Sequence, residues 1–165
     1  MLKTFRIGGV HPPESKLSAA QPIENFPVPE LVKIPIAQHI GAPAEIVVKR
    51  GDEVKVGTLI AKAAGFISAN IHSSVSGTVQ KIDEAVDASG YRKSVITIKS
   101  DGTDTWEEQI DRSPKVVREI TLTPQEITAR VAECGIVGMG GATFPTNVKL
   151  MPPKDAKPEL VIIKA

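Results

Sequence analysis

Four of the chain's thirteen glycines, Gly135, Gly138, Gly140 and Gly141, fall within seven positions, and Lys149 follows shortly after. Glycine tolerates positive φ and lets other atoms approach the main chain. Successive N–H groups in such a run can converge on an anion, and a nearby ammonium adds charge. That is phosphate-holding chemistry. A glycine-rich turn that only packs a helix end closely has the same composition, so composition leaves both readings open. Two familiar nucleotide loops are excluded. Gly138-x-Gly140 is followed by Thr143 where the dinucleotide fingerprint needs a third glycine, and the run follows a helical segment instead of a strand. The chain also lacks the Gly-Lys-Ser/Thr ending of a Walker loop.

The remaining reactive side chains are scattered. His11, His39 and His72 have no i, i+4 partner and no neighbouring cysteine, so no metal site is expected and each reads as a hydrogen-bonding turn residue. Two of them sit in notable surroundings, Gly8 to Glu14 and Gln38-His39-Ile40-Gly41. Cys134, the single cysteine, rules out an internal disulfide or an iron-sulfur site built from this chain alone. Placed beside Val131 on an apolar helix face, it is expected to be a buried small hydrophobe. Nothing resembles a nucleophile triad or a carboxylate pair, so no catalytic residue is assigned. Trp106 and Tyr91 are isolated aromatics and make no base-stacking platform. A net charge of +1 gives no support for nucleic acid or an anionic membrane as the main partner. With a single cysteine the chain reads as intracellular. No apolar run is long enough to span a bilayer and the start lacks a signal-peptide core, so any membrane association is expected to go through a partner.

The elements that must position the loop follow from punctuation. At 165 residues the chain makes one ordinary domain or two small ones. Seven of thirteen prolines lie in the first 43 residues, which predicts an extended arm that lies along a neighbouring sheet through alternations such as Leu31-Val32-Lys33-Ile34. From residue 44 to about 100, short β-branched runs alternate with Gly or Asp and predict a small barrel or sandwich. Strands are expected at 45–48, 53–57, 58–61, 66–71, 76–82 and 94–99, with clear alternation in 78–82 and 95–99. Residues 101–122 read as a polar connector. Thr123-Pro124-Gln125-Glu126 then supplies an N-cap, a proline at the first position and a capping-box glutamate, with Leu122 and Ile127 as a staple. This predicts a helix from about Pro124 to Cys134, ended by Gly135 in a left-handed conformation.

Four separated stretches, Thr4 to Glu14, Gln38 to Ala44, Ile71 to Val79 and Gly135 to Lys149, together resemble the N-terminal part of the RnfC subunit of the Rnf (Rsx) ion-translocating electron transport complex. The resemblance implies a mainly β fold followed by the start of an α/β domain. The β unit would be a barrel-sandwich hybrid related to biotinyl and lipoyl carriers, with turns at Lys49 to Val54 and Val75 to Val79. From residue 123 to 165 it implies the opening of an FMN- and NADH-binding domain similar to the flavoprotein of respiratory complex I. By that likeness Gly138, Gly140, Gly141 and Ala142 line the FMN and nicotinamide site, Phe144 is an aromatic wall and Lys149 meets a phosphate. Met139 stands in place of an arginine and Thr143 in place of the last loop glycine.

The same resemblance implies a peripheral subunit on the cytoplasmic side of the bacterial inner membrane, partnered by the other Rnf subunits and NADH. In full it would be an NADH:ferredoxin-type oxidoreductase with iron-sulfur clusters downstream. The present segment is expected to be an inactive piece that holds no cofactor tightly. Two other roles fit the β pattern. One is a non-catalytic docking scaffold. The other is a lipoyl or biotinyl carrier, which the absence of lysine from the expected hairpin at Ala63 to Ala69 and the flanks of Lys62 disfavour.

Overall fold

The computed structural model describes residues 13–87, 90–114, 116–153, 155–156 and 159–160. His11, most of the Thr4 to Glu14 stretch and residues 161–165 lie outside these residues. The elements are β1 (Leu31–Pro35), β2 (Glu45–Ile46), β3 (Glu53–Val54), β4 (Leu59–Lys62), β5 (Ile71–His72), β6 (Gly77–Val86), β7 (Arg92–Ser100), α1 (Pro124–Glu133) and α2 (Thr146–Lys149). Two antiparallel sheets form, one in the order β1-β7-β6-β3 and the other β2-β4-β5. Their facing surfaces enclose the core. Ile34, Val54, Val79, Ile96 and Ile98 come from the first sheet and Ile60, Ala61 and Ile71 from the second, joined by Ala44 and Val75. Ile60, Ile96 and Ile98 are fully buried, and apolar surface removed from water at about 25 cal/mol per Å² is the main force closing the two sheets.

The proline-rich arm supplies a strand. Leu31 pairs with Lys99 and Pro35 with Val95, so β1 forms the edge beside β7 and places Ile34 in the core. A proline is tolerated on such an edge, where its missing N–H breaks no inner ladder.

Several strand expectations need correction. Residues 66–71 contribute a strand only at Ile71–His72. The rest is held by bonds to residues 39–42, with the Ala42 N–H donating to the Ile67 carbonyl at 3.0 Å, the Ser68 hydroxyl donating to the Ala42 carbonyl at 2.9 Å and the Ala69 N–H donating to His39 Nε2 at 3.1 Å. Alternation also fails in 78–82, because a register shift between Val79 and Lys81 leaves Ile82 exposed. In β7, Val95, Ile96, Thr97 and Ile98 are all buried in succession, as in a strand covered on both faces. The segment after β7 is more than a polar link. Val56 and Trp106 form a parallel bridge, the Val56 N–H donates to the Thr105 carbonyl at 2.9 Å, and Ile110 reaches Gly57.

The helix follows its start signals. The Thr123 side chain accepts from the Glu126 N–H and the Glu126 carboxylate accepts from the Thr123 N–H, completing the capping box ahead of Pro124. Its face is not buried, however. Ile127 and Val131 are half-exposed and Cys134 is exposed, because α1 packs on the barrel only near its C-terminal end.

Candidate functional site

The glycine loop is a hairpin tip. The Thr146 N–H donates to the Ile136 carbonyl and the Gly138 N–H to the Phe144 carbonyl, both at 2.9 Å, while Val137 and Pro145 form an antiparallel bridge. Pro145 is among the most buried side chains and anchors one leg. Gly135 fixes the other. Its φ is +65°, and a Cβ there would lie 2.2 Å from the Asn70 carbonyl oxygen, so only glycine lets the helix end close against the barrel. Asn70 completes this junction from the barrel side. Its amide nitrogen donates to the Glu133 carbonyl at 3.1 Å and its oxygen accepts from the Ala63 N–H at 3.0 Å.

At the tip, Thr143 donates its N–H to the Gly140 carbonyl at 3.0 Å and adopts φ of +43°. A β-branched residue there is strained, and it occupies the place expected for a loop glycine. The N–H groups of Met139, Gly140, Gly141 and Ala142 donate to no acceptor among the described residues. Among the described residues, no atom beyond the chain neighbours lies within 4 Å of where a Cβ would stand on Gly140 or Gly141, so packing within them does not account for these two glycines. Gly138 is different. A Cβ there would meet the Lys149 ammonium at 2.6 Å, which puts that charge against the loop. The same ammonium stands 5.9 Å from the centre of the Phe144 ring. The structure thus brings Gly138, Phe144 and Lys149 together, with Gly140, Gly141 and Ala142 on the open tip. Met139 is almost wholly exposed.

The strip before the barrel contacts the loop through Ile40, while His39 bonds to main-chain groups as its sequence setting suggested. The Ile40 N–H donates to the Ala142 carbonyl at 3.3 Å, and His39 supports Ile40. The Gln38 to Gly41 stretch was a visible signal, but its contact with the loop spans about a hundred residues of sequence. His72 lies half-buried in a cleft of about 540 Å³, lined also by Gly57, Ile110, Arg130, Glu133 and Cys134. Burial holds its imidazole below the ordinary value, and the Glu133 carboxylate pulls it partly back. Among the described residues, no three His, Cys, Asp or Glu side chains form a metal-binding group, and no helix is long and apolar enough to cross a membrane.

The family profile of the RnfC barrel sandwich hybrid domain matches residues 3–103. In Clostridium ljungdahlii, the subunit named C of the proton-translocating ferredoxin:NAD(+) oxidoreductase complex is 49% identical over 164 residues, covering 99% of this chain and 35% of that protein. The corresponding subunit of the ion-translocating oxidoreductase complex of Rhodobacter capsulatus is 49% identical over 153 residues, covering 90% of this chain and 29% of its own length. The Na(+)-translocating counterpart from Acetobacterium woodii is 44% identical over 162 residues, covering 97% of this chain and 35% of that protein. The chain therefore spans about a third of the length of these curated relatives. The two-sheet barrel, matched by its own family profile and continued into the loop by relatives that align past residue 103, makes this chain a member of the RnfC family, corresponding to its N-terminal part.

Proposed function

We propose that this chain is the N-terminal part of an RnfC subunit that exchanges electrons between NAD(H) and ferredoxin within an ion-translocating complex, and that its glycine loop is the share of the nucleotide site it contributes. The observation that carries this reading is the loop tip. Among the described residues, four successive amides lack acceptors, two glycines face open space, and the Lys149 ammonium rests against Gly138. This donor set fits the phosphate of FMN or the diphosphate of a nicotinamide nucleotide. Gly140 and Gly141 would let a phosphate reach the main chain, Ala142 would continue that edge, Lys149 would balance charge and Phe144 would offer a ring face. When bound, the flavin supplies hydride acceptance and single-electron release, so this segment needs no general acid or base of its own.

The division of labour along the chain follows. Residues 1–43 form the arm, 44–100 the barrel, 101–122 the connection and 123–165 the entry to the nucleotide domain. Iron-sulfur clusters would belong to sequence beyond this segment, because Cys134 alone cannot hold one. The protein would sit peripherally on the cytoplasmic side of the membrane, held by the other members of the complex. Leu17, Ile23 and Phe26 project from the arm almost fully exposed and suit such docking.

The test uses the full-length subunit with Gly140→Val and Gly141→Val combined. FMN or NADH affinity, read by flavin fluorescence or direct titration, is expected to fall at least a hundredfold while the barrel's thermal midpoint is kept. Unchanged affinity in a folded double variant would remove the loop from the site. In the same preparation Phe26→Ser should reduce recovery of the other subunits without altering nucleotide affinity, and full recovery would discard the docking role.

A further inference from the structure

The strip Gln38–Ala42 lies between the barrel's 63–69 connection and the glycine loop. On the barrel side the Ala42 N–H donates to the Ile67 carbonyl at 3.0 Å, and the Ser68 hydroxyl donates to the Ala42 carbonyl at 2.9 Å. Gly41 makes that approach possible. Its φ is +96°, and a Cβ there would stand 2.1 Å from the Ile67 oxygen. On the loop side, the Ile40 N–H to Ala142 carbonyl bond of 3.3 Å is the one hydrogen bond joining residues 138–144 to the barrel among the described residues.

His39 sits at the centre of this strip, and its bonds define its state. The Ala69 N–H lies 3.1 Å from Nε2, and a backbone amide can only donate, so Nε2 is bare. The Ile40 carbonyl lies 3.2 Å from Nδ1, and a carbonyl can only accept, so Nδ1 carries the proton. One neutral ring thus ties the barrel connection to the Ile40 peptide. Ile40 is consequently held at both ends, its carbonyl by His39 and its N–H by the loop.

We propose that His39 is a positioning residue for nucleotide binding: by clamping Ile40 it sets where Ala142, and with it the Gly140 and Gly141 amides, stand relative to the barrel. It does this without touching the nucleotide. The inference rests on the loop being the nucleotide site, and the test separates the two ideas. Preorganised donors lose affinity when their support loosens, even if every donor remains.

In the full-length subunit, His39→Ala is expected to weaken FMN or NADH binding at least tenfold and to speed amide exchange at Ile40 and Ala69, with β6 and β7 unaffected. His39→Gln, whose amide can still accept from Ala69, is expected to restore affinity to within threefold of the parent, whereas His39→Asn, too short to reach it, is not. A folded His39→Ala protein that binds within twofold of the parent, while the Gly140→Val/Gly141→Val protein does not bind, overturns the positioning role and leaves the loop assignment standing. If the glycine variant also binds normally, both fall. Should His39→Ala fail to fold, the Gln and Asn variants decide, and equal affinity in those two overturns the proposal.

Discussion

His72 and Asn70 lie close together in sequence and meet the same helix end in different ways. Asn70 satisfies backbone groups on both the barrel and α1, so its cost of burial is offset by two hydrogen bonds. His72 has burial as its dominant influence, opposed by the Glu133 carboxylate. Its folded pKa lies below its unfolded value of 6.5, so the unfolded chain takes up a proton first as the medium acidifies. Stability from this site is therefore fully present above pH 6.5 and is lost as the pH falls through the lower folded value. Asp83, Asp101, Asp111 and Glu126 are held low by hydrogen bonds, so their contributions are lost only further down, from the ordinary carboxylate range through their lower folded values. Urea midpoints should thus decline between pH 6.5 and the carboxylate range, and His72→Gln should flatten that decline. A midpoint that climbs on acidification over this range, or a decline that the substitution leaves intact, would contradict the assignment.

At the scale of elements, α1 is a short helix with no buried residue, and isolated helices of this length are marginal in water. Its order must come from its ends. Thr123 and Glu126 close the start, while Gly135 and Asn70 fasten the finish. Replacing Thr123 by Ala removes the cap and costs about 1 kcal/mol, roughly a fivefold shift in the local opening equilibrium. Amide exchange in α1 should quicken by about that factor while β7 exchange stays unchanged. Equal protection of α1 in the two proteins would mean that packing, and not the cap, holds the helix. The cap was legible in the sequence because it is local: Thr123, Pro124 and Glu126 touch only each other's turn. The fate of Cys134 was not. Its face resembles a core-facing stripe, but whether a stripe is covered depends on what packs there, and the barrel reaches only the last turn. Residues 66–70 misled in the same way, since Ile67 and Ile71 have strand-like character while distant partners at His39 and Ala42 set their bonding. In the candidate site, the glycines and Lys149 stood out by composition, whereas His39, Ile40 and Asn70 acquire a role only through folding.

At the scale of the molecule, residues 31–36 of the arm share one sheet and one core with the barrel. β1 covers the edge of β7 over five register pairs, and the chain just beyond it remains attached, with the Ile36 N–H donating to Ser94 and the Ala44 N–H to Ile36. Ile34 adds a side chain to the core, and truncating it to alanine should cost about 2–5 kcal/mol, read as a lower urea midpoint in a monomer. Deleting residues 1–36 goes further. It empties the Ile34 site and also bares the N–H and C=O groups of β7 along a stretch whose side chains Val95 to Ile98 are buried, the kind of edge that recruits another strand. A domain with only about 5–15 kcal/mol to lose is left marginal by that change. The deleted protein is therefore expected to unfold at a much lower denaturant concentration and to self-associate increasingly with concentration in sedimentation or light scattering. A monomer with the parent's midpoint would show that β1 is an accessory to the barrel and that the two sheets close without it.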